Sequence, residues 1–579
     1  MTGAPLSTTS DDSTPDQTAP WWRRGVVYQV YVRSFADSNG DGTGDINGLR
    51  QRLPYLRDLG VQAIWLNPWY ASPLADGGYD VADYYTINPE FGSNAEAEAL
   101  IAEARAHGLR VIVDVVPNHT SEEHVWFQEA IASPIGHPSR DMYHIRDGRG
   151  LDGAAPPNNW TSVFGGPAWT RLPDGQWYLH LFAPEQPDVN WDNPAVHRAF
   201  LEVLTFWLDR GVDGFRVDVA HGLMKDPIYP DIDGLDPNSL LTNAKNSGHP
   251  HWDRDEIHEV VSQWRALLDE RTTPGDEKMM VAEAWVRPER VPLYLAPDQY
   301  HQSFNFTLLE AEWDAQQWKS IIDASIAEVG SCGSAPTWVL SNHDVMREAT
   351  RFGLPPGTDW RRWPLDGPAE ALDPALGLAR ARAAALVMLA LPGSAYVYQG
   401  EELGLPEVWD LPIEVLDDPV WERSGHTVKG RDGCRVPIPW TEAPESAGFT
   451  TGKPWLPTPP NWPALSAEKQ AGDDRSTLEM FRRALHARQQ WAVADESLTW
   501  ITITDLVDDA AESVAAATVA FRRGSGMVCV ANFGAQPIPT PTGYTIVAAS
   551  DFSLEAGTDT GPSTLLPANS SIWLSPSAA

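Results

Sequence analysis

From Arg24 onward, short β-branched and apolar runs alternate with longer segments whose apolar residues recur at helical spacing, the mark of parallel βα units. The runs fall at 26–32, 63–67, 110–116, 214–219, 279–284, 303–307, 337–341 and 395–399. Helical period marks 94–107, 193–210, 255–270 and 375–391 between them. Eight strands in this alternation predict an α/β fold, a (β/α)8 TIM barrel. Residues 119–192 form far too long and too aromatic a stretch for an ordinary βα loop, so an inserted subdomain is expected after the third strand. A second irregular stretch over 403–473, dense in Pro and Trp, follows the eighth strand and is expected to roof the same face. Past a helix near 476–490, short alternating runs at 498–503, 516–522, 527–532, 544–549 and 571–574 predict a C-terminal antiparallel β-sandwich domain. The predicted domains are therefore a tail over 1–20, a barrel over 21–118 and 193–492, the insertion over 119–192, and an all-β domain over 493–579.

Length agrees with several cores, since 579 residues exceed the ~250–300 at which one core stops growing. Charge narrows the partners. A formal net charge of −37 repels phosphate backbones and anionic membranes, so neither nucleic acid nor a membrane is expected to bind. Residues 1–20 lack a basic stretch and an apolar stretch and are rich in Ser, Thr, Asp and Pro, which predicts a disordered tail and not a secretory signal. No apolar run approaches the ~20 residues of a transmembrane helix. The three cysteines, odd in number and without metal-ligand spacing, fit a reducing compartment, and a cytoplasmic location is expected. Twenty-six Trp supply flat apolar faces that suit sugar rings as well as cores.

In such a barrel catalytic groups project from the C-terminal ends of strands, so the polar residues closing each run matter most. Strand three closes on Asp114-Val-Val-Pro-Asn-His119, strand four on Arg216-Val-Asp218, strand five on Glu283-Ala-Trp285, and strand seven on Asn342-His343-Asp344. Singly, a strand-end Asp is most often a helix cap or an ion-pair partner. Together these segments would bring the carboxylates of Asp218, Glu283 and Asp344 and the imidazoles of His119 and His343 into one cavity. Crowded like charges cost stability, which argues for chemistry. Paired carboxylates suit glycoside cleavage, with one as nucleophile and one as acid. The apolar neighbours of Glu283 predict a raised pKa, and Arg216, on the same strand face as Asp218, is expected to keep that carboxylate ionised.

In this order the four segments resemble the signature regions of the α-amylase superfamily of glycoside hydrolases, and Gln186-Pro-Asp-Val-Asn190 resembles the additional region of its oligo-1,6-glucosidase-like branch. The likeness covers residues 22–579. It implies Asp218 as nucleophile, Glu283 as general acid/base, and Asp344 as the third carboxylate, gripping sugar hydroxyls, with His119 and His343 as further hydroxyl partners. Asp76-Gly-Gly-Tyr79 resembles the loop that closes the glucose site of exo-acting members, whose Asp pairs with a later Arg; Arg435 matches that Arg, and Tyr79 matches the aromatic platform under the glucose. Phe164 and Phe182 match residues beside the leaving-group site. Val219, next to the nucleophile, resembles members that cleave α-1,6 bonds, although Ala220-His221 departs from the Ile-Asn common there.

These likenesses imply an exo-acting, retaining α-glucosidase for short oligosaccharides, with starch a poor substrate. A transglucosylase or isomerase of the same fold, of the trehalose synthase or sucrose isomerase type, is the alternative. A non-catalytic relative is disfavoured because all three carboxylates are present. One further loop carries metal chemistry. Asp37, Asn39, Asp41, Thr43 and Asp45 repeat oxygen ligands at alternate positions with Gly42 at the sixth, as in the first half of an EF-hand loop, although Gly48 stands where the closing Glu would be. A structural Ca²⁺ or Mg²⁺ is expected there, with no organic cofactor.

Overall fold

The computed structural model describes residues 19–232, 249–491, 497–507 and 512–577, so the predicted tail lies outside them except for its last two positions. Eight parallel strands close into a barrel: β1 (Val26–Val30), β2 (Ala63–Leu66), β3 (Arg110–Val115), β4 (Gly214–Val217), β5 (Met279–Ala282), β6 (Gln302–Asn305), β7 (Thr337–Val339) and β8 (Ser394–Tyr398). Each pairs with its sequence neighbours and β8 returns to β1. The alternation that defines a strand also partitions the core. Val27, Trp65, Ile112, Val281, Phe304 and Tyr396 point into the barrel interior and pack together, whereas Val26, Tyr28, Ile64, Val111, Val113 and Met280 join the outer layer against the helices.

The run predicted over 303–307 turns early. Asn305 accepts the Leu308 N–H and caps a short helix, Phe306–Leu309, which ends β6. The main surrounding helices are α1 (Ile46–Leu59), α2 (Asn94–Ala106), α3 (Pro194–Asp209), α4 (Ile257–Arg271), α5 (Ala315–Gly330), α6 (Pro374–Ala390) and α7 (Thr477–Trp491). Asp45 caps α1 through the Gly48 N–H, and Gly60 ends it at a φ of 99°. Among the described residues no helix is long and apolar enough to cross a membrane.

Two insertions shape the end of the barrel at which the strands finish. Between β3 and α3 lie a helix, Val125–Ala132, and a three-stranded antiparallel sheet of Ile145–Asp147, Gln176–Leu179 and Trp169–Arg171. After β8 an irregular roof is pinned to the loop that follows β1: Trp440 donates to the Phe35 carbonyl at 2.6 Å and Trp455 to Ser34 Oγ at 3.1 Å.

The C-terminal region is a five-stranded antiparallel sheet in the order Leu498–Trp500, Thr518–Arg523, Val528–Asn532, Ser570–Pro576 and Tyr544–Ala549. A two-stranded sheet, Ile538–Pro539 with Leu565–Leu566, shares its core of Val528, Val530, Ile546 and Ile572. The outer face lies on α6, whose buried residues surround most of its circumference. Trp573 is fully buried at this seam and donates to the Leu386 carbonyl at 2.9 Å. Trp573→Ala is expected to cost about 3–5 kcal/mol through the cavity it opens, read as a fall in the denaturation midpoint.

Candidate active site

The strand-end segments meet above the barrel. Asp218, Glu283 and Asp344 line one cavity of about 580 Å³ together with Asp76, Tyr79, His119, Phe164, Phe182 and Val219. Gln186, Arg216 and Arg435 stand behind that lining and act on it through hydrogen bonds, and His343 stands behind it stacked on Tyr79.

Arg216 is the centre of the site. Its Nη1 lies 2.5 Å from Asp218 Oδ1 and 3.4 Å from Asp114 Oδ1, while its Nη2 lies 2.9 Å from Glu283 Oε2. One buried guanidinium therefore holds both carboxylates of the predicted catalytic pair. Period-two alternation on β4 and its extension brings Arg216 and Asp218 to one face, as expected.

The expectation that Arg216 keeps Asp218 ionised needs correction. Burial pushes the Asp218 carboxyl well above the usual carboxylate range, Arg216 pulls it down, and the charges of Glu283 and Asp114 push it up again. Arg216 is thus opposed by desolvation and by two neighbouring carboxylates. Nor is Glu283 in wholly apolar surroundings: it accepts from Arg216, from the Val219 N–H at 3.0 Å and from Trp285 Nε1 at 3.2 Å. The Val219 donor is aimed by a left-handed backbone, with φ at 46°, a costly conformation for a β-branched residue.

Asp114 was legible as a strand-end carboxylate but not as part of this cluster. It is fully buried, accepts from Tyr79 Oη at 2.8 Å and Trp65 Nε1 at 3.1 Å, and burial raises its carboxyl to about 7. Tyr79 in turn stacks on His343 at 5.3 Å with 9° between the rings. The glycines before Tyr79 serve contacts within the protein: a Cβ at Gly78 would meet the Pro68 carbonyl oxygen at 2.9 Å.

At the closed end the partner of Asp76 is Arg431 and not Arg435. Arg431 Nη2 lies 2.6 Å from Asp76 Oδ1, and the same side chain binds Asp344 Oδ1 at 3.2 Å and Asp418 Oδ2 at 2.6 Å. Arg435 instead donates to the His343 carbonyl at 2.9 Å and to Asp344 Oδ1 at 3.1 Å. The tight turn Asp432–Cys434 separates the two arginines, which converge on Asp344 Oδ1. Sequence reasoning missed Asp418; the available signal was a second Arg four residues before Arg435 in an acidic stretch.

Burial acts to raise the Asp344 carboxyl, but His343, Arg431 and Arg435 hold it well below the usual range. His343 is kept neutral by burial and Gln29 Nε2 faces its Nδ1 at 2.8 Å, which places the ring proton on Nε2, 3.3 Å from Asp344 Oδ2. His119 is likewise depressed by burial, to about 4. Gln186 Nε2 lies 3.0 Å from His119 Nε2 and 3.1 Å from Asp76 Oδ2, tying the two together. Phe182 packs on His119 at 5.0 Å and on Phe164 at 5.5 Å, and Arg431 covers Phe164 at 5.2 Å.

Comparison with known proteins decides the family. A profile described as alpha amylase, catalytic domain, matches residues 29–496. The chain belongs to the alpha-amylase family. It is therefore an enzyme, a glycoside hydrolase. An oligo-1,6-glucosidase of Parageobacillus thermoglucosidasius is 35% identical over 504 residues, 81% of this chain and 84% of that protein. A probable alpha-glucosidase of Rhizobium meliloti is 37% identical over 500 residues, covering 83% and 84%. Among solved structures, a trehalulose synthase superposes with a TM-score of 0.80 at 31% identity, covering 96% of this chain and all of that one.

In this alpha-amylase-family chain the Asp37–Asp45 loop is ordered by its own donors. Asp37 accepts from the N–H groups of Asn39, Gly40 and Gly42, Asp41 from that of Thr43, and Asp45 from Ser38 and Gly48. Among the described residues no group of three or more acidic, His or Cys side chains is gathered to hold a metal ion.

Proposed function

We propose that the protein is a retaining, exo-acting α-glucosidase that releases glucose from the non-reducing end of short α-1,4- or α-1,6-glucosides. The observation that carries this is Arg216 holding Asp218 and Glu283 on neighbouring nitrogens. That arrangement favours the close carboxylate spacing of retaining enzymes, ~5–5.5 Å, over the ~6.5–9.5 Å that leaves room for an attacking water. In the proposed cycle Asp218 attacks the anomeric carbon while Glu283 protonates the departing oxygen. Water, deprotonated by Glu283, then opens the glucosyl ester. Arg216, within hydrogen-bond reach of both carboxylates, stabilises the charge that Asp218 carries as nucleophile. Asp344, ionised, and neutral His119 take the sugar hydroxyls with His343 behind Asp344, and the Asp76–Arg431 pair closes the pocket past one glucose.

A time course on maltose, isomaltose, sucrose and soluble starch, with products separated by chromatography, tests this reading. Free glucose from the disaccharides, released initially as the α-anomer, with little from starch, is the expected result; β-glucose at first release overturns it. The likeness to a trehalulose synthase supports a second reading, isomerisation of sucrose, which the same chromatogram reports as a new disaccharide in place of free sugars.

The loop over Asp37, Asn39, Asp41, Thr43 and Asp45 belongs to the same proposal as a structural Ca²⁺ or Mg²⁺ site, supported by its alternate oxygens and by Gly42 at a φ of 99°. The expected result is a higher denaturation midpoint in millimolar Ca²⁺ than in chelator, with Asp41→Ala abolishing the difference. A cytoplasmic location completes the proposal, supported by three free cysteines.

A further inference from the structure

The nucleophile strand runs on into a turn that is fixed from several sides. Val219 adopts the left-handed conformation, the Ala220 N–H binds the Glu283 carbonyl at 2.9 Å, and the Gly222 N–H binds the Val219 carbonyl at 2.9 Å. Buried Lys225 donates to the Gly222 carbonyl at 2.5 Å and is anchored by Asn118 at 2.8 Å and Asp188 at 2.9 Å. A Cβ on Gly222 would lie 2.6 Å from Trp252 and from Val219, so the turn packs without slack. It carries His221 into the wall of the catalytic cavity, stacked on Trp252 at 5.3 Å.

His221 is only 2% exposed; its ring faces the Glu283 carbonyl, and neither nitrogen reaches a hydrogen bond of good geometry among the described residues. Burial drives its pKa down to about 3, with the Glu283 carbonyl and Lys225 as smaller influences, so the ring is neutral and offers one donor and one acceptor. A buried ring nitrogen left without a well-formed hydrogen bond is costly, and a rigid mount is what a binding group requires. The sugar-binding groups Asp76, Asp344, His119 and Arg431 occupy the closed end, whereas His221 follows the nucleophile and adjoins Glu283, which serves the leaving oxygen.

We propose that His221 determines specificity by hydrogen-bonding a hydroxyl of the leaving sugar, the unit released when the glucosidic bond breaks. This rests on the α-glucosidase reading above. The test compares kcat/KM for maltose and isomaltose with that for 4-nitrophenyl α-glucoside, whose leaving group has no sugar hydroxyl. His221→Phe is expected to lower the better disaccharide's value about tenfold and to change the nitrophenyl value less than about twofold. His221→Gln, which keeps a donor and an acceptor, is expected to recover part of the loss and guards against a misfolded Phe variant. Equal losses on both substrate types in His221→Gln, or no loss on the disaccharides in His221→Phe, overturn the proposal. Wild-type protein inactive on all three substrates overturns the α-glucosidase reading itself and the inference with it.

Discussion

Asp218→Ala is expected to lower kcat on 4-nitrophenyl α-glucoside by on the order of 10⁴-fold or more, the scale on which removal of a nucleophile acts. The variant also distinguishes the roles of the two carboxylates. With Asp218 removed, azide can enter from the vacated face and trap glucose as the β-azide. In Glu283→Ala the ester on Asp218 still forms from a substrate whose leaving group needs no proton, and azide arriving from the opposite face gives the α-azide. Azide products of the reverse configurations would show that the assignments are exchanged. Stability offers an independent reading. Asp218 is pushed up by burial against the pull of Arg216, so replacing it leaves Arg216 with Glu283 and Asp114 as carboxylate partners and relieves like-charge crowding. The expected denaturation midpoint is therefore no lower than wild type, separating loss of chemistry from loss of fold.

Arg431→Met is the second large effect. The side chain neutralises Asp76, Asp344 and Asp418 at once, and all three would be left without their shared cation in a buried site. Breaking a buried pair of this kind costs about 3–5 kcal/mol, and kcat/KM on maltose is expected to fall with it, since Asp76 and Asp344 both lose their orientation. A double-mutant cycle checks the pairing directly. Asp76→Asn with Arg431→Met should show a coupling of about 0.5–3 kcal/mol, larger than that of Asp76→Asn with Arg435→Met, since Arg435 makes no ion pair with Asp76 and acts on it only at longer range. Coupling to Arg435 in place of Arg431 would contradict the geometry described above.

The barrel was legible because its evidence is local. Each β-branched run buries both faces, and the runs at 26–32, 110–116 and 395–399 contain β1, β3 and nearly all of β8. Strand ends were less so, because the hydrogen bonds that stop them come from elsewhere: Asn305 turns the chain into a helix after β6, and Thr502 with Asp505 boxes another after Trp500. The gathering of the proposed catalytic trio was legible for a related reason. The (β/α)8 topology brings every strand's C-terminal end to one face, so a strand-end Asp or Glu is placed by its position in the repeat alone.

Sequence by itself determined the alternation of strands and helices, the face on which Asp218, Glu283 and Asp344 gather, and the pairing of Arg216 with Asp218, since two residues in an extended chain share a face whatever surrounds them. Tertiary structure alone decided that Arg431 reaches Asp76 across 355 positions, that Arg216 spans to Glu283 and Asp114, and that His221 is buried against Trp252 in the cavity wall. The division has one physical cause. Backbone periodicity is set by neighbouring residues, whereas the partner and the proton affinity of a buried charge depend on groups that only the closed barrel and its roof bring within a few ångströms.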